Sequence, residues 1–109
     1  MKKNIFQKEA KKAFLIELNE LKAFYASKDF NVGDLCQEIL NCKGKVFLTG
    51  VGKSGHIANK ISATFSSTGT SSFFIHPAEA LHGDMGMIEK NDCIIVLSKS
   101  GESKEICDL

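Results

Sequence analysis

Short apolar runs alternate with helical repeats along the chain, and this alternation predicts an α/β fold with a parallel sheet. Residues 46–49 have the pattern of a strand buried on both faces, and residues 93–97 are predicted as another buried strand. Residues 72–75 form a further short strand before His76 and Pro77. Ligands of such sheets bind at the carboxyl ends of the strands. The residues that follow each strand are therefore the first candidates for a site.

The segments between and ahead of the strands repeat apolar residues every three or four positions, which is typical of amphipathic helices. We expect helices over residues 4–28, 32–40 and 54–67, a short helix or loop over 78–86, and the start of another helix at Glu105. The second helix is expected to bury Leu35, Cys36, Ile39 and Leu40. Gly69 stands where a helix ends in a left-handed residue.

A glycine-rich turn, Gly50-Val51-Gly52-Lys53-Ser54-Gly55, joins the first strand directly to the helix that follows it. The first-turn N–H groups of a helix have no intrahelical partner, and the helix dipole is positive there. Glycines also let the backbone approach a ligand closely. The sequence therefore predicts a phosphate-bearing ligand near Ser54, although a tight strand–helix connection without a ligand would use the same residues.

Two common phosphate motifs match this turn only in part. Gly50, Gly52 and Gly55 fit GxGxxG, but the second strand lacks the terminal acidic residue that would hold a ribose, and a P-loop would need glycine where Phe47 stands. A second polar turn over residues 98–103, SKSGES, offers three hydroxyl groups without a clustered guanidinium. Two such turns indicate a sugar phosphate more than a nucleotide, which would normally bring a metal-binding acid.

Composition narrows the class of protein further. The 109 residues are 43% hydrophobic and 25% charged, as expected for one small globular domain. A net charge of +1 gives no field for nucleic acid or a membrane surface, and the charged N-terminus does not resemble a signal peptide. The four cysteines show no CxxC pair and are interpreted as structural. We expect a cytoplasmic protein.

The runs GVGKSGHIANKISATFSSTGTSSFFIHPAEALHGDMGMI and SKSGESKEI closely resemble the arabinose 5-phosphate isomerases, whose catalytic part is a sugar isomerase (SIS) domain. The resemblance divides the chain into N-terminal helices over residues 1–42 and the N-terminal part of a SIS domain over residues 43–109. It implies a three-layer αβα, flavodoxin-like fold. It also implies the interconversion of D-arabinose 5-phosphate and D-ribulose 5-phosphate, which feeds the synthesis of 3-deoxy-D-manno-octulosonate (Kdo) for lipopolysaccharide or capsule.

The resemblance also assigns roles to single residues. It implies that Lys53 and Glu105 are catalytic. A carboxylate such as Glu105 can remove the proton alpha to the carbonyl, and a cation such as Lys53 can stabilise the enediolate oxygen. The implied substrate contacts are Ser54, Gly69, Thr70, His76, His82, Ser98, Ser100 and Ser103. His76 matches a position at which the family can bind zinc, which is not a required cofactor. Taken alone, Lys53 could be a solvated loop residue and Glu105 a favourable first-turn charge. His56 is interpreted as structural.

The chain departs from the family pattern in its length. The family's SIS domain is longer and is usually followed by two CBS modules, which this sequence does not contain. We therefore expect a truncated isomerase with a phosphosugar substrate, no nucleic-acid or membrane partner, and self-association, because the family forms tetramers through the SIS domain. The alternative is a non-catalytic sugar phosphate-binding SIS module, since SIS domains also serve as sensors in regulators.

Overall fold

The computed structural model describes residues 2–101 and 104–108, with backbone only at residues 105 and 106. The chain divides into two compact units, Met1–Cys36 and Gln37–Leu109. The division into helices over 1–42 and a SIS part over 43–109 stays a prediction. Among the described residues, no helix combines the length and the apolar character needed to cross a membrane.

The first unit consists mainly of the long helix α1 (Lys2–Ala26), which buries none of its side chains. Beyond the end of α1, the ring of Phe30 packs edge to face against Phe24 and Tyr25, with centroid distances of 5.3 and 6.1 Å. At the start of α2 (Val32–Asn41), the side-chain amide Nδ2 of Asn31 donates to the Asp34 carboxylate at 2.7 Å. These short-range contacts form the turn between the two helices.

The expected burial of α2 is wrong for three of its four residues. Leu35 is 48% exposed, Leu40 is 80% exposed and Cys36 is exposed. Only Ile39 is half-buried, and it packs against the core of the second unit. The helix has the predicted apolar spacing, but spacing alone overstated the buried area.

The second unit contains a three-stranded parallel sheet in the order β2-β1-β3, which confirms the predicted fold class. The strands are β1 (Val46–Gly50), β2 (Ser72–Phe74) and β3 (Cys93–Leu97). The central strand β1 is buried along its whole length. Strands buried on both faces carry uniformly apolar side chains, and this explains the uncharged run that predicted β1.

Helix α3 (Lys53–Ser67) covers one face of the sheet. Its buried residues, Gly55, Ala58 and Ser62, are small and lie on one side of the helix, so the backbone can approach β1 closely. Ala58 packs with Val46 and Leu48. The Ser72 hydroxyl donates a hydrogen bond to the Ser62 hydroxyl at 3.1 Å, so each of these two buried polar groups has a partner.

The opposite face is covered only in part. Helix α4 (Pro77–Leu81) brings Ala80 onto Phe47 and Ile75, and Ile88 packs there after a 3₁₀ turn over Asp84–Met87. On β3, Ile94 and Val96 are each 43% exposed, so the expectation that this strand is buried is wrong for these two residues. The short helix α5 (Lys104–Cys107) follows β3.

Asp92 fixes the start of the sheet, at the end opposite the glycine turn. Its carboxylate accepts the N–H groups of Glu89 and Lys45, each at 2.7 Å. These two hydrogen bonds stabilise the ionised form and hold the pKa of Asp92 below its ordinary value. Cys93 beside it is half-buried, and burial raises the pKa of its thiol, as expected of an inert structural cysteine.

Candidate functional site

The two polar turns predicted to hold a phosphate are neighbours in the fold. Gly50, the last residue of β1, pairs with Leu97, the last residue of β3. Parallel strands lie about 4.8 Å apart, so the residues that follow Gly50 and Leu97 leave the sheet side by side. The site expected from the sequence therefore lies at the carboxyl edge of the sheet.

The first turn presents the amino end of α3 to this edge. Gly52 precedes the helix with a φ of 60°, a conformation that L side chains rarely adopt. The His56 N–H donates to the Gly52 carbonyl at 3.2 Å, so the N–H groups of Lys53, Ser54 and Gly55 are the first-turn donors without an intrahelical acceptor. No side chain caps them in the described structure. These donors suit an anion.

Glycines hold this helix end against β1. A Cβ atom at Gly55 would lie 2.5 Å from the Gly50 carbonyl oxygen, and one at Gly50 would lie 2.8 Å from the Ser54 carbonyl carbon. The two backbones are therefore in direct contact, and any side chain at either position would force them apart. This contact sets the distance between the end of the strand and the first turn of the helix.

The second polar turn, residues 98–103, contains a hydrogen bond to the side chain of its first residue, Ser98. The Gly101 N–H donates to the Ser98 hydroxyl oxygen at 2.8 Å, and Gly101 has a φ of 69°. Ser98 and Ser100 are both exposed on this turn. Ser103 and the side chain of Glu105 lie outside the described residues, so their implied roles stay predictions.

His76 follows β2 at the same edge of the sheet and caps α4. Its Nδ1 accepts the N–H of Ala78 at 3.1 Å. In the neutral ring the proton is then on Nε2, so this histidine presents a hydrogen-bond donor to its surroundings.

This ring orientation does not fit a metal site. Zinc binds the lone electron pair of a ring nitrogen. In His76 the lone pair of Nδ1 accepts the Ala78 N–H, and Nε2 carries the proton. Within residues 2–101 and 104–108, no three His, Cys, Asp or Glu side chains are grouped as metal ligands. The ring of His76 would have to turn, and the helix cap would be lost, before it could bind zinc.

A cavity of about 290 Å³ opens beside the glycine turn. It is lined by Gly50, Gly52, Gly55, His56, Asn59, Phe74 and His76. This volume is just below the range of about 300–1,000 Å³ that is typical of small-ligand pockets. Sequence reasoning missed His56 and Asn59 as site residues. The two residues stand three positions apart near the start of α3, so they lie on one face of the helix. This spacing is the sequence feature that could have indicated them as site residues.

The structure also places three further residues that the resemblance implies as substrate contacts. Gly69, with a φ of 99°, and Thr70 precede β2, whose Ser72 pairs with Val46 at the start of β1, so they lie at the amino edge of the sheet. His82 is exposed at the far end of α4, beyond the helix whose other end is capped by His76. Within one copy of the chain, Gly69 and Thr70 therefore lie at the opposite edge of the sheet from the two turns.

Another cavity, of about 280 Å³, lies on the partly covered face of the sheet and is lined almost entirely by apolar side chains such as Phe47, Ile75 and Val96. Its one hydroxyl lining residue, Thr49, is 3% exposed, and its Oγ1 has no hydrogen-bond partner among the described residues. A phosphosugar needs many polar contacts, so this cavity does not suit one.

Comparison with known proteins agrees with the geometry. The SIS domain family model matches residues 39–109. The chain is 50% identical over 107 residues to arabinose 5-phosphate isomerase KdsD of Escherichia coli K12, covering 95% of this chain and 32% of that protein. It is 65% identical over 71 residues to arabinose 5-phosphate isomerase KpsF of E. coli O6:H1, covering 65% of this chain and 22% of that protein.

A solved structure is similar as well. The E. coli CFT073 protein c3406, solved in complex with arabinose 5-phosphate, superimposes with a TM-score of 0.74 at 47% identity, over 91% of this chain and 56% of that chain. The chain spans about a third of the length of the curated KdsD relatives that it matches.

Proposed function

Because the chain belongs to the SIS-domain family, we propose that it binds a five-carbon sugar phosphate at the carboxyl edge of its sheet, as the first part of an arabinose 5-phosphate isomerase. The observation that carries the proposal is the adjacency of two polar turns, joined by the pairing of Gly50 with Leu97. The similarity to KdsD and KpsF isomerases supports the choice of substrate.

The phosphate would lie between the two turns. The glycine-rich turn would supply the free N–H groups at the start of α3 and the hydroxyl of Ser54. The second polar turn would supply the hydroxyls of Ser98, Ser100 and Ser103. Backbone N–H groups and hydroxyls bind a phosphate without a metal ion. In this proposal Gly69 and Thr70 contact substrate only if a second copy of the chain brings them to the edge, because within one copy they lie at the opposite end of β2. His82 would contact the substrate from the C-terminal end of α4.

The reaction would interconvert D-arabinose 5-phosphate and D-ribulose 5-phosphate through an enediol. Glu105 would take the proton from the carbon next to the carbonyl, and the electron pair of that C–H bond would form the C=C bond of the enediolate. The Lys53 ammonium would stabilise the negative oxygen. His76, with its proton on Nε2, would donate to a substrate oxygen. In the direction from arabinose 5-phosphate, the C1 oxygen gains a proton and the C2 hydroxyl loses one. Return of the first proton from Glu105 to C1 then gives the ketone at C2.

Other parts of the proposal follow from the family. The reaction would need no cofactor, and zinc binding at His76 stays a prediction that requires the ring to turn. The protein would act in the cytoplasm as a homo-oligomer, a tetramer by analogy with the family, and would feed Kdo synthesis for lipopolysaccharide or capsule. We propose no nucleic-acid or membrane partner.

The test is turnover of D-arabinose 5-phosphate by the purified chain, beside a Glu105→Gln variant. Loss of a general base typically costs about 10²–10⁴-fold in rate, so Glu105→Gln should reduce turnover by that factor. Glu89→Gln is the matched control, because it removes the same charge from an exposed residue after the 3₁₀ turn. A chelator should change neither result.

Equal loss in both variants, or none in either, would contradict the role of Glu105. Binding of the phosphosugar without any turnover would favour the second candidate, a non-catalytic sugar phosphate-binding module. The two polar turns favour that candidate as much as the enzyme, because they account for binding alone.

A further inference from the structure

The cavity beside the glycine turn extends the site along α3, away from the first-turn N–H groups. His56 and Asn59 line it, and they stand three residues apart on the same face of the helix. Side chains on a helix lean toward its amino end, so both lean toward the carboxyl edge of the sheet. Phe74 and His76 close the cavity from the end of β2.

We propose that His56 and Asn59 bind the hydroxyl-bearing end of the phosphosugar, and that they determine which sugar is accepted. The proposal rests on the proposed function, since it assumes a phosphosugar at this edge. It adds two residues that neither the motifs nor the resemblance assigned, and it fixes the direction in which the ligand lies.

The direction follows from where the donors are. The free N–H groups are those of Lys53, Ser54 and Gly55, so the phosphate belongs at the first turn. The His56 N–H is already bonded to Gly52, and beyond it only side chains are available. The described residues that line the cavity include no carboxylate and no Lys or Arg side chain, so their polar groups match neutral hydroxyls, which both donate and accept.

The length of the ligand agrees with this placement. From Ser54 to Asn59 the helix rises by about 7.5 Å, five residues at about 1.5 Å each. A five-carbon sugar phosphate has four C–C bonds of about 1.5 Å, and with the ester oxygen its chain is of the order of 7 Å. A ligand with its phosphate at Ser54 therefore reaches Asn59 with its far hydroxyls.

The polar groups that face the far end have complementary chemistry. His76 presents an Nε2–H donor, because its Nδ1 accepts from Ala78. Asn59 has an amide that both donates and accepts, and the ring of His56 offers one of each when neutral. A site that hydrogen-bonds a substrate hydroxyl binds an analogue less well when that hydrogen bond is lost, so these side chains can discriminate between sugar epimers.

The test compares His56→Phe and Asn59→Leu with the unchanged chain, by calorimetric titration with D-arabinose 5-phosphate, D-ribose 5-phosphate and inorganic phosphate. Each variant should bind arabinose 5-phosphate about tenfold more weakly, the effect of about one lost hydrogen bond at the upper end of its range. Affinity for inorganic phosphate should not change. The preference between the two pentose phosphates, which differ only in configuration at C2, should shrink.

Lys60→Met is the matched control, since Lys60 is exposed on the same helix and lies outside the cavity lining. Ser54→Ala should weaken inorganic phosphate and both sugars alike. Unchanged arabinose 5-phosphate affinity in both cavity variants, or equal loss for phosphate and sugar, would overturn this inference and leave the proposed function standing. Failure of the unchanged chain to bind any phosphosugar would overturn the proposed function and this inference together.

Discussion

Replacing Gly55 by alanine should push the first turn of α3 away from the end of β1. The added Cβ would lie 2.5 Å from the Gly50 carbonyl oxygen, about 0.9 Å short of the 3.4 Å at which ordinary contact begins. It would also lie 3.2 Å from the Gly50 carbonyl carbon. Both neighbours are backbone atoms of the buried central strand, so they cannot rotate aside and the helix has to move.

The cost can be worked from two opposing effects. Overpacking a tight contact costs about 1–3 kcal/mol, while alanine is favoured over glycine inside a helix by about 1 kcal/mol. The difference is about 0–2 kcal/mol, and because the neighbours here are rigid backbone we expect its upper half, a loss of about 1–2 kcal/mol in the free energy of unfolding. A shift of about 1 Å at a binding site can also cost about 10²-fold in rate, so phosphosugar binding and turnover should fall further than stability alone explains.

Amide hydrogen exchange measures this free energy within the second unit. The N–H groups of Val46, Ile75 and Cys93 each donate to a carbonyl across the sheet at 2.9 Å, so their exchange reports opening of the sheet. A loss of about 1–2 kcal/mol corresponds to exchange about 5–30 times faster. Gly86→Ala is the control, because a Cβ there meets nothing within 4 Å, and it should be neutral or slightly stabilising. If Gly55→Ala and Gly86→Ala behaved alike, the argument from backbone contact would be refuted.

Two further predictions concern buried or bonded polar groups. The N–H groups of Glu89 and Lys45 lower the pKa of Asp92 below 3.8, so the stabilisation it provides is complete above pH 3.8 and is lost as pH falls through its lower folded-state pKa. Asp92→Asn should therefore flatten the acid limb of the curve of unfolding free energy against pH, and an unchanged limb would contradict this. Thr49→Val removes a buried hydroxyl that has no partner among the described residues, so urea denaturation should show no loss, or a gain of about 1 kcal/mol. Ser62→Ala, which leaves the buried Ser72 hydroxyl without its bond, should instead cost about 1–3 kcal/mol, and the reverse order would disprove the reasoning.

The local sequence pattern was sufficient to predict the helices and strands and the location of the candidate site. The run 93–97 predicted the bounds of β3, and the segment 54–67 predicted α3 to within one residue of Lys53–Ser67. The glycine turn identified the amino end of α3 as an anion site, because strand, glycine and helix start are all local features. Parallel pairing then required the second turn to lie nearby, since carboxyl ends of parallel strands share an edge.

The tertiary structure alone decided which faces are covered and which side chains share a cavity. Ile94 and Val96 have the composition of a buried strand, yet they are exposed, because coverage depends on where α4 packs and not on the strand itself. The grouping of His56 and Asn59 with His76 likewise depends on the close contact of Gly50 with Gly55, which aims one face of α3 at the end of β2. The sequence by itself determined the elements and the chemistry of their ends, because both depend on neighbours along the chain. Burial and side-chain grouping depend on neighbours in space, and only the packed sheet and helices supply those.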